Sequence, residues 1–399
     1  MTTSKDVALE LGMPEQSPMY KSPPPASKLP MVVVGLACLA SFAVGAAGLS
    51  YAVALEARLH DLEAKSQVIV SKSATPPDGF AMTSSLLTGS GEWAVGQPMP
   101  AARSDLQAIY CNGTVTLLGG SDGGKVVQGT VYSFDPVQEV YSGAKTPMPT
   151  PRFRFGAACV ADLIYVAGGY SDAATGDTGA SLASVDIYDV AGDTWASGPA
   201  LQVARGDLAL VSVDGRLHAI GGYDQSWVAT VTNEVLDPNA ASSAWSYAAP
   251  MRMGKGDIQA VAAGGKLYVP GGWNDGFLDE LAVYDAATDA WSEGAKMAAP
   301  RGDKAVVALN GRVLVIGGEV GAIPMHGVEM YTPEQDAWTS LSPLPEARFR
   351  FAAAAVAGRA PTEGSVFAFG GHAHREVALA SQWVFHDSLQ PDLYFHQKE

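Results

Sequence analysis

Six glycine doublets, each closing an apolar run, constrain this chain more than any other feature: Gly119-Gly120, Gly168-Gly169, Gly221-Gly222, Gly271-Gly272, Gly317-Gly318 and Gly370-Gly371. Recurrence at a fixed interval marks a repeat architecture, in which each unit buries its apolar face against its neighbours. Sixteen residues before the first five doublets stands a basic residue: Arg103, Arg152, Arg205, Lys255 and Arg301. In the last unit Arg348 precedes Gly370 by 22, because the turn at Gly358 to Ser365 is longer by six. After each doublet comes a segment such as VDIYDV or LAVYDA, then Tyr141, Trp195, Trp245, Trp291 or Trp338, and ten or eleven residues later the next basic residue. The pattern predicts a four-stranded unit of 46 to 53 residues. Strand a follows the basic residue, b ends in the doublet, c carries the Tyr-Asp and d starts at the Trp.

The sixth unit lacks its own strand d. Trp93, however, stands ten residues before Arg103, the d-to-a interval of the other units. Trp93 to Met99 therefore supplies the missing strand, and six blades close into a ring without exposed sheet edges. The 44 glycines, 8 tryptophans and charged fraction of 17% suit such an all-β fold.

The doublets, Tyr and Trp at these spacings resemble the kelch family over about residues 91 to 388, with Tyr141 in place of the usual Trp in blade one and Leu236 in place of the usual Tyr in blade three. The resemblance implies an all-β, six-bladed kelch-type β-propeller. Its repeat residues are structural: glycines allow close backbone approach, and the large aromatics fill the wedge between diverging sheets.

Upstream, no charge occurs between Lys28 and Glu56, and Met31 to Leu55 is rich in Val, Leu, Ala and Gly. About 20 such residues make a spanning helix, whereas a signal peptide has a shorter core and an earlier start. The expectation is a transmembrane helix at 31–55, after a disordered tail at 1–30 and before a stalk and linker at 56–90, with a C-terminal tail at 389–399. Leu55, Leu59, Leu62 and Ile69 follow heptad spacing, compatible with weak self-association of the stalk or with a plain extension of the membrane helix. Three lysine or arginine residues flank each side of the span, so the positive-inside rule gives no orientation. Asn112-Gly113-Thr114 is both a glycosylation acceptor and a preferred hairpin turn. A type II anchor with the propeller lumenal or extracellular is the orientation carried forward. The formal charge of −16 disfavours nucleic acid. Cys38, Cys111 and Cys159 offer no zinc spacing and no disulfide framework.

In an antiparallel blade the d–a and b–c loops share one face. Two residues after each basic residue, Asp105, Arg154, Asp207, Asp257, Asp303 and Arg350 are expected around one mouth of the central channel. The b–c loops add Ser121, Tyr170, Tyr223, Trp273, Glu319 and His372, with Trp227 and His374 nearby. Aromatic platforms beside charges suit a protein, peptide or glycan ligand; pairing of the Asp and Arg side chains across blades is the structural alternative. In kelch substrate adaptors, arginines at this repeat position contact acidic peptides, and Arg-Phe-Arg at 152–154 and 348–350 resembles that arrangement. Arg205-Gly206-Asp207 and Arg301-Gly302-Asp303 spell an adhesion tripeptide, but Lys255-Gly256-Asp257 in the same register explains it as repeat. His372 and His374 alone make a weak metal signal, and no cofactor or metal is expected. The kelch fold also hosts copper radical oxidases and sialic acid epimerases. The first need a cysteine near the loop face, where Cys111 and Cys159 do not lie. The second need Arg, Glu and His, for which Arg154, Arg350, Glu319 and His372 are the candidates. A non-catalytic interaction module is the leading expectation, because fold alone licenses no activity.

Overall fold

The computed structural model describes residues 91–388 apart from 124–125, 172–179, 241–242, 359–362 and 375–376. The expected tail at 1–30, membrane span at 31–55, stalk and linker at 56–90 and C-terminal tail at 389–399 lie outside the described residues. Among the described residues no helix is long and apolar enough to cross a membrane.

Six four-stranded antiparallel sheets follow one another along the chain. Blade one runs Gln107–Cys111, Thr114–Leu118, Val131–Asp135 and Val140–Lys145, the a-to-d order that the repeat predicts. Blades two to five repeat it, and short hairpins decorate the b–c loops of blades five and six. In blades one to five strands a and b meet in two-residue turns with both residues at positive φ, as at Asn112 (49°) and Gly113 (79°) or Asn310 (52°) and Gly311 (76°). Their backbone is that of the primed hairpin turn that favours Asn-Gly. Blade six takes strand d from the front of the chain: Trp93–Val95 pairs with Gln382–Ser388, Trp93 opposite Phe385 and Val95 opposite Trp383. The regular part is shorter than the expected Trp93 to Met99, because beyond Val95 only Gly96 and Met99 bond back, to the carbonyls of Gln382 and Ala380.

Each repeat signature has a cross-blade task. The second glycine of every doublet donates its N–H to the carbonyl of the next blade's basic residue, from Gly120 to Arg152 (2.9 Å) round to Gly371 to Arg103 (2.7 Å). The first glycine has positive φ, and a Cβ added at Gly168 or Gly221 would stand 2.5 or 2.6 Å from the Arg205 or Lys255 carbonyl. Only glycine fits such an approach. The d-strand tryptophans donate Nε1–H to the preceding blade: Trp195 to Thr146, Trp245 to Pro199, Trp291 to Ala249, Trp338 to Ala295 and Trp93 to Ser342, at 2.7–3.0 Å. Tyr141 does the same work with its hydroxyl, donating to Gln382 Oε1 of blade six at 2.8 Å. The cores lie between blades, as where Val115 and Phe134 of blade one pack with Phe367 and Val384 of blade six. The repeated basic residues are buried, and among the described residues all but Arg103 are ion-paired, as Arg152 to Asp186 at 2.5 Å and Arg205 to Glu234 at 2.9 Å.

The expectation about cysteine is corrected by the structure. Cys111 and Cys159, 48 residues apart in sequence, form a disulfide with Cα atoms 5.8 Å apart. They sit on strands a of blades one and two, which run side by side along the channel. Spacing along the chain carries no trace of that closeness.

Candidate functional site

The six residues two places after each basic residue do converge. Asp105, Arg154, Asp207, Asp257, Asp303 and Arg350 line one cavity of about 50 Å³ at the loop end of the channel. All six have positive φ, between 50° and 55°, a region Asp tolerates and Arg seldom adopts. The reason is a ring of backbone hydrogen bonds. The Asp105 N–H donates to the Arg350 carbonyl, Arg154 to Asp105, Asp207 to Arg154, Asp303 to Asp257 and Arg350 to Asp303, at 2.8–3.3 Å. Five of the six neighbouring pairs of blades are thus hooked at the mouth; among the described residues no such bond joins Asp257 to Asp207.

The ring side chains pair across blades. Arg154 Nε donates to Asp105 Oδ1 at 3.1 Å, and its Nη1 lies 3.5 Å from Asp207 Oδ2. Arg350 Nε donates to Asp303 Oδ2 at 2.8 Å and stands 3.8 Å from Asp105 Oδ1. Burial opposes the charge on Arg154, but Asp207 and Asp105 outweigh it and hold its pKa above the ordinary arginine value. Asp303 is held below the ordinary carboxylate value, since Arg350 and Arg154 overcome the effect of burial. Asp207 is pushed up to about 6, by burial first, with Arg154 opposing and Asp303 adding. Asp257 rises well above its ordinary value, through burial and then through Asp303 and Asp207. Among the described residues no salt bridge or side-chain hydrogen bond reaches the Asp257 carboxylate. Carboxylate oxygens of Asp207, Asp257 and Asp303 all lie within 4.8 Å of one another.

Beneath the ring, Lys304 is 1% exposed and donates Nζ–H to the Asp257 carbonyl at 3.0 Å. Burial, with Lys255 adding, pushes it down to about 7. The repeat reading missed Lys304, although the signal was there: the equivalent positions of the other five blades are apolar, Leu106, Phe155, Leu208, Ile258 and Phe351, and Lys304 departs from them. Deeper still, alanine and valine side chains such as Ala108, Ala158, Val211 and Val307 line a channel of about 350 Å³.

On the rim the expected aromatics assemble across blades two to four. Tyr170 is buried at the foot of the arc, 5.5 Å from Phe153, and Trp227 stacks on it with centroids 5.3 Å apart at 17°. Tyr223 lies 5.9 Å from Trp227 and 6.4 Å from Trp273. Trp227, 40% exposed, has φ of 59°, held by backbone bonds from Ser226 and Val228 to the Asp224 carboxylate. Such a conformation in a bulky residue is a true outlier. His372 belongs to the opposite sector, buried and 5.4 Å from the Phe349 ring, its pKa lowered mainly by burial. Glu319 is buried near Asp303 and lowers that residue's pKa by hydrogen bonding. Residues Ser121 and His374 complete the b–c positions, the first buried and the second exposed. The Arg-Gly-Asp register is also explained: a Cβ at Gly206 or Gly256 would overlap the ring of Tyr170 or Tyr223 from the preceding blade.

A family model for the kelch motif matches residues 151–202, 257–298 and 300–345. Among curated proteins, the chain is 28% identical over 149 residues to Kelch-like protein 35 of Mus musculus, covering 37% of this chain and 24% of that protein. It is 34% identical over 122 residues to Kelch repeat protein M-T8 of Myxoma virus (strain Lausanne), covering 30% and 21%. Beta-scruin of Limulus polyphemus matches at 28% over 134 residues, covering 33% and 14%. The chain thus spans a quarter or less of the length of these relatives. The solved structure of YjhT superposes with a TM-score of 0.61 over 72% of this chain and 95% of that one at 14% identity, a likeness of fold alone. Kelch repeats arranged as a six-bladed propeller are what these matches and the sheet topology jointly support.

Proposed function

We propose that this kelch-repeat propeller is a non-catalytic interaction module, binding a protein or peptide, or a glycan, through the face made by its d–a and b–c loops. One observation carries the reading: the Tyr170–Trp227–Tyr223–Trp273 arc stands beside the charged ring on a face that also exposes Val228 next to Trp227 and Val126, Ile323 and Val377 at other b–c loop tips. A binding face with aromatic anchors and apolar surroundings has the composition of an interface hot spot. The guanidiniums of Arg154 and Arg350 are engaged by ring carboxylates, which favours an architectural role for both and a role for the rim in contact.

The test uses the 399-residue chain in detergent on peptide and glycan arrays, with Trp227→Ala and Arg350→Ala variants alongside. Trp227→Ala is expected to lose about tenfold or more of the retained signal while melting like the parent. Unchanged retention by Trp227→Ala would sink the loop-face reading, and turnover of an arrayed sugar would overturn the non-catalytic one.

The module is further proposed to be tethered through residues 31–55, with the propeller on the lumenal or extracellular side. The Cys111–Cys159 disulfide supports this side, because such bonds persist in oxidising compartments. The exposed turn at Asn112 is open to a glycosylating enzyme there.

A further inference from the structure

The mouth carries four carboxylates, Asp105, Asp207, Asp257 and Asp303, against two guanidiniums. The excess negative charge is not spread evenly. Arg154 and Arg350 serve Asp105, Asp207 and Asp303, so the deficit falls on Asp257 and on the side of the ring that Asp207 and Asp303 share with it. Lys304 below supplies incomplete compensation, its bond going to a backbone carbonyl. A second observation points into the same place. The Tyr170 hydroxyl, in a residue 1% exposed, makes no hydrogen bond of good geometry and, among the described residues, has only the Asp207 carboxylate to lean on. Its ring lies over Gly206, directly beside Asp207, and its titration is governed by burial and then by Asp207. A buried hydroxyl without a well-formed hydrogen bond is costly unless something completes it.

We infer that this sector takes a cationic side chain, the ammonium or guanidinium of a Lys or Arg presented by a partner protein, seated against Asp207, Asp257 and Asp303. Tyr170 offers its oxygen as acceptor to the same group. The rings of Trp227, stacked on Tyr170, and of Tyr223, 5.9 Å from Trp227, stand next to this sector, and aromatic rings attract cations. Charge complementarity selects the partner: a chain of net charge −16 whose mouth is acidic in excess attracts a basic surface. The exposed apolar loop tips suit a macromolecule that covers the whole face. A divalent metal fits less well, since guanidiniums lie 3.5 Å from Asp207 and 2.8 Å from Asp303 and repel a second positive charge more strongly than a first. The inference rests on the loop-face reading above and assigns its ligand chemistry.

The experiment displays the detergent-solubilised 399-residue chain to pools of random nonapeptides, each pool with one fixed central residue. Lys and Arg pools are expected to retain about tenfold more chain than Gln or Glu pools, with the excess shrinking as salt rises. In Asp257→Asn, which breaks no ion pair, that excess is expected to vanish at an unchanged melting temperature. Trp227→Ala serves as the second variant and is expected to weaken Lys and Arg pools together. Equal retention of Gln and Lys pools, preference for Glu, or an excess undiminished in Asp257→Asn overturns the inference and leaves the binding module standing. Stabilisation by calcium ions alone, without Lys or Arg preference, replaces it with a metal site. Retention of no peptide and no glycan overturns both readings.

Discussion

Lys304 shows how a single side chain couples the mouth to pH. Its amine falls from 10.5 to about 7 on folding because burial penalises the ammonium. Between those values the unfolded chain holds a proton that the native chain has released, so stability rises with pH across this window, and the full penalty applies below it. Lys304→Met is expected to be more stable than the parent at pH 7 by at least about 1 kcal/mol, and to lose the rise in stability between pH 7 and pH 10. Chemical denaturation of both proteins at the two pH values measures this; parallel curves would refute it. Position in the ring was legible in the sequence for Asp105, Arg154, Asp207, Asp257, Asp303 and Arg350, because the register is fixed by the repeat. Pairing across blades was already an alternative in the sequence; which carboxylate each arginine takes was not legible, since it depends on which side chains a curved ring brings face to face. The same holds for the φ values near 50° and for the glycine at position 206, which yields to a tyrosine from another blade.

Within a blade, glycine has two separate uses that one experiment can tell apart. Gly215, in an a–b turn, has φ of 74° and open space where a Cβ would go. Gly221, in a doublet, has φ of 57° and the Lys255 carbonyl 2.6 Å from that position. Gly215→Ala is expected to cost about 1–2 kcal/mol for backbone conformation alone. Gly221→Ala adds overpacking against the next blade, for a total of about 3 kcal/mol or more. Urea midpoints of the two variants give the comparison, and equal shifts would contradict the account. Strand count, order and the borrowed strand d were all legible, because Gly-Gly, Tyr and Trp recur in phase. The c–d turns were not. Asp193, Asp289 and Asp336 each accept a bond from the tyrosine of their own blade (2.6–2.8 Å) and from a backbone N–H of the preceding one (2.7–2.9 Å). An aspartate in a turn looks ordinary in sequence; only the neighbouring blade reveals what it holds.

Across the ring as a whole, the disulfide ties the blade that starts the repeat array to the next. By closing a loop of 48 residues it is expected to contribute about 2–4 kcal/mol. Adding reductant should lower the denaturation midpoint of the parent accordingly and leave a Cys111→Ala/Cys159→Ala variant unaffected. In chain isolated from cells without reductant, both thiols should resist alkylation; free thiols there would argue against an oxidising compartment. Closure through blade six has a different consequence. Trp93 faces Phe385 in an antiparallel pair, so the two ends of the described ring come together where the other blades have their c–d connections. The described ring is therefore an otherwise endless circuit with one c–d turn missing, where the chain leads away to residues 1–90 and 389–399. A bridge like Ala286 to Asp289 could splice the ends together, and new termini could be cut at an exposed hairpin such as Gly264-Gly265. The propeller would then be a circle with a movable seam, its beginning a matter of where the chain is opened and not of how it folds.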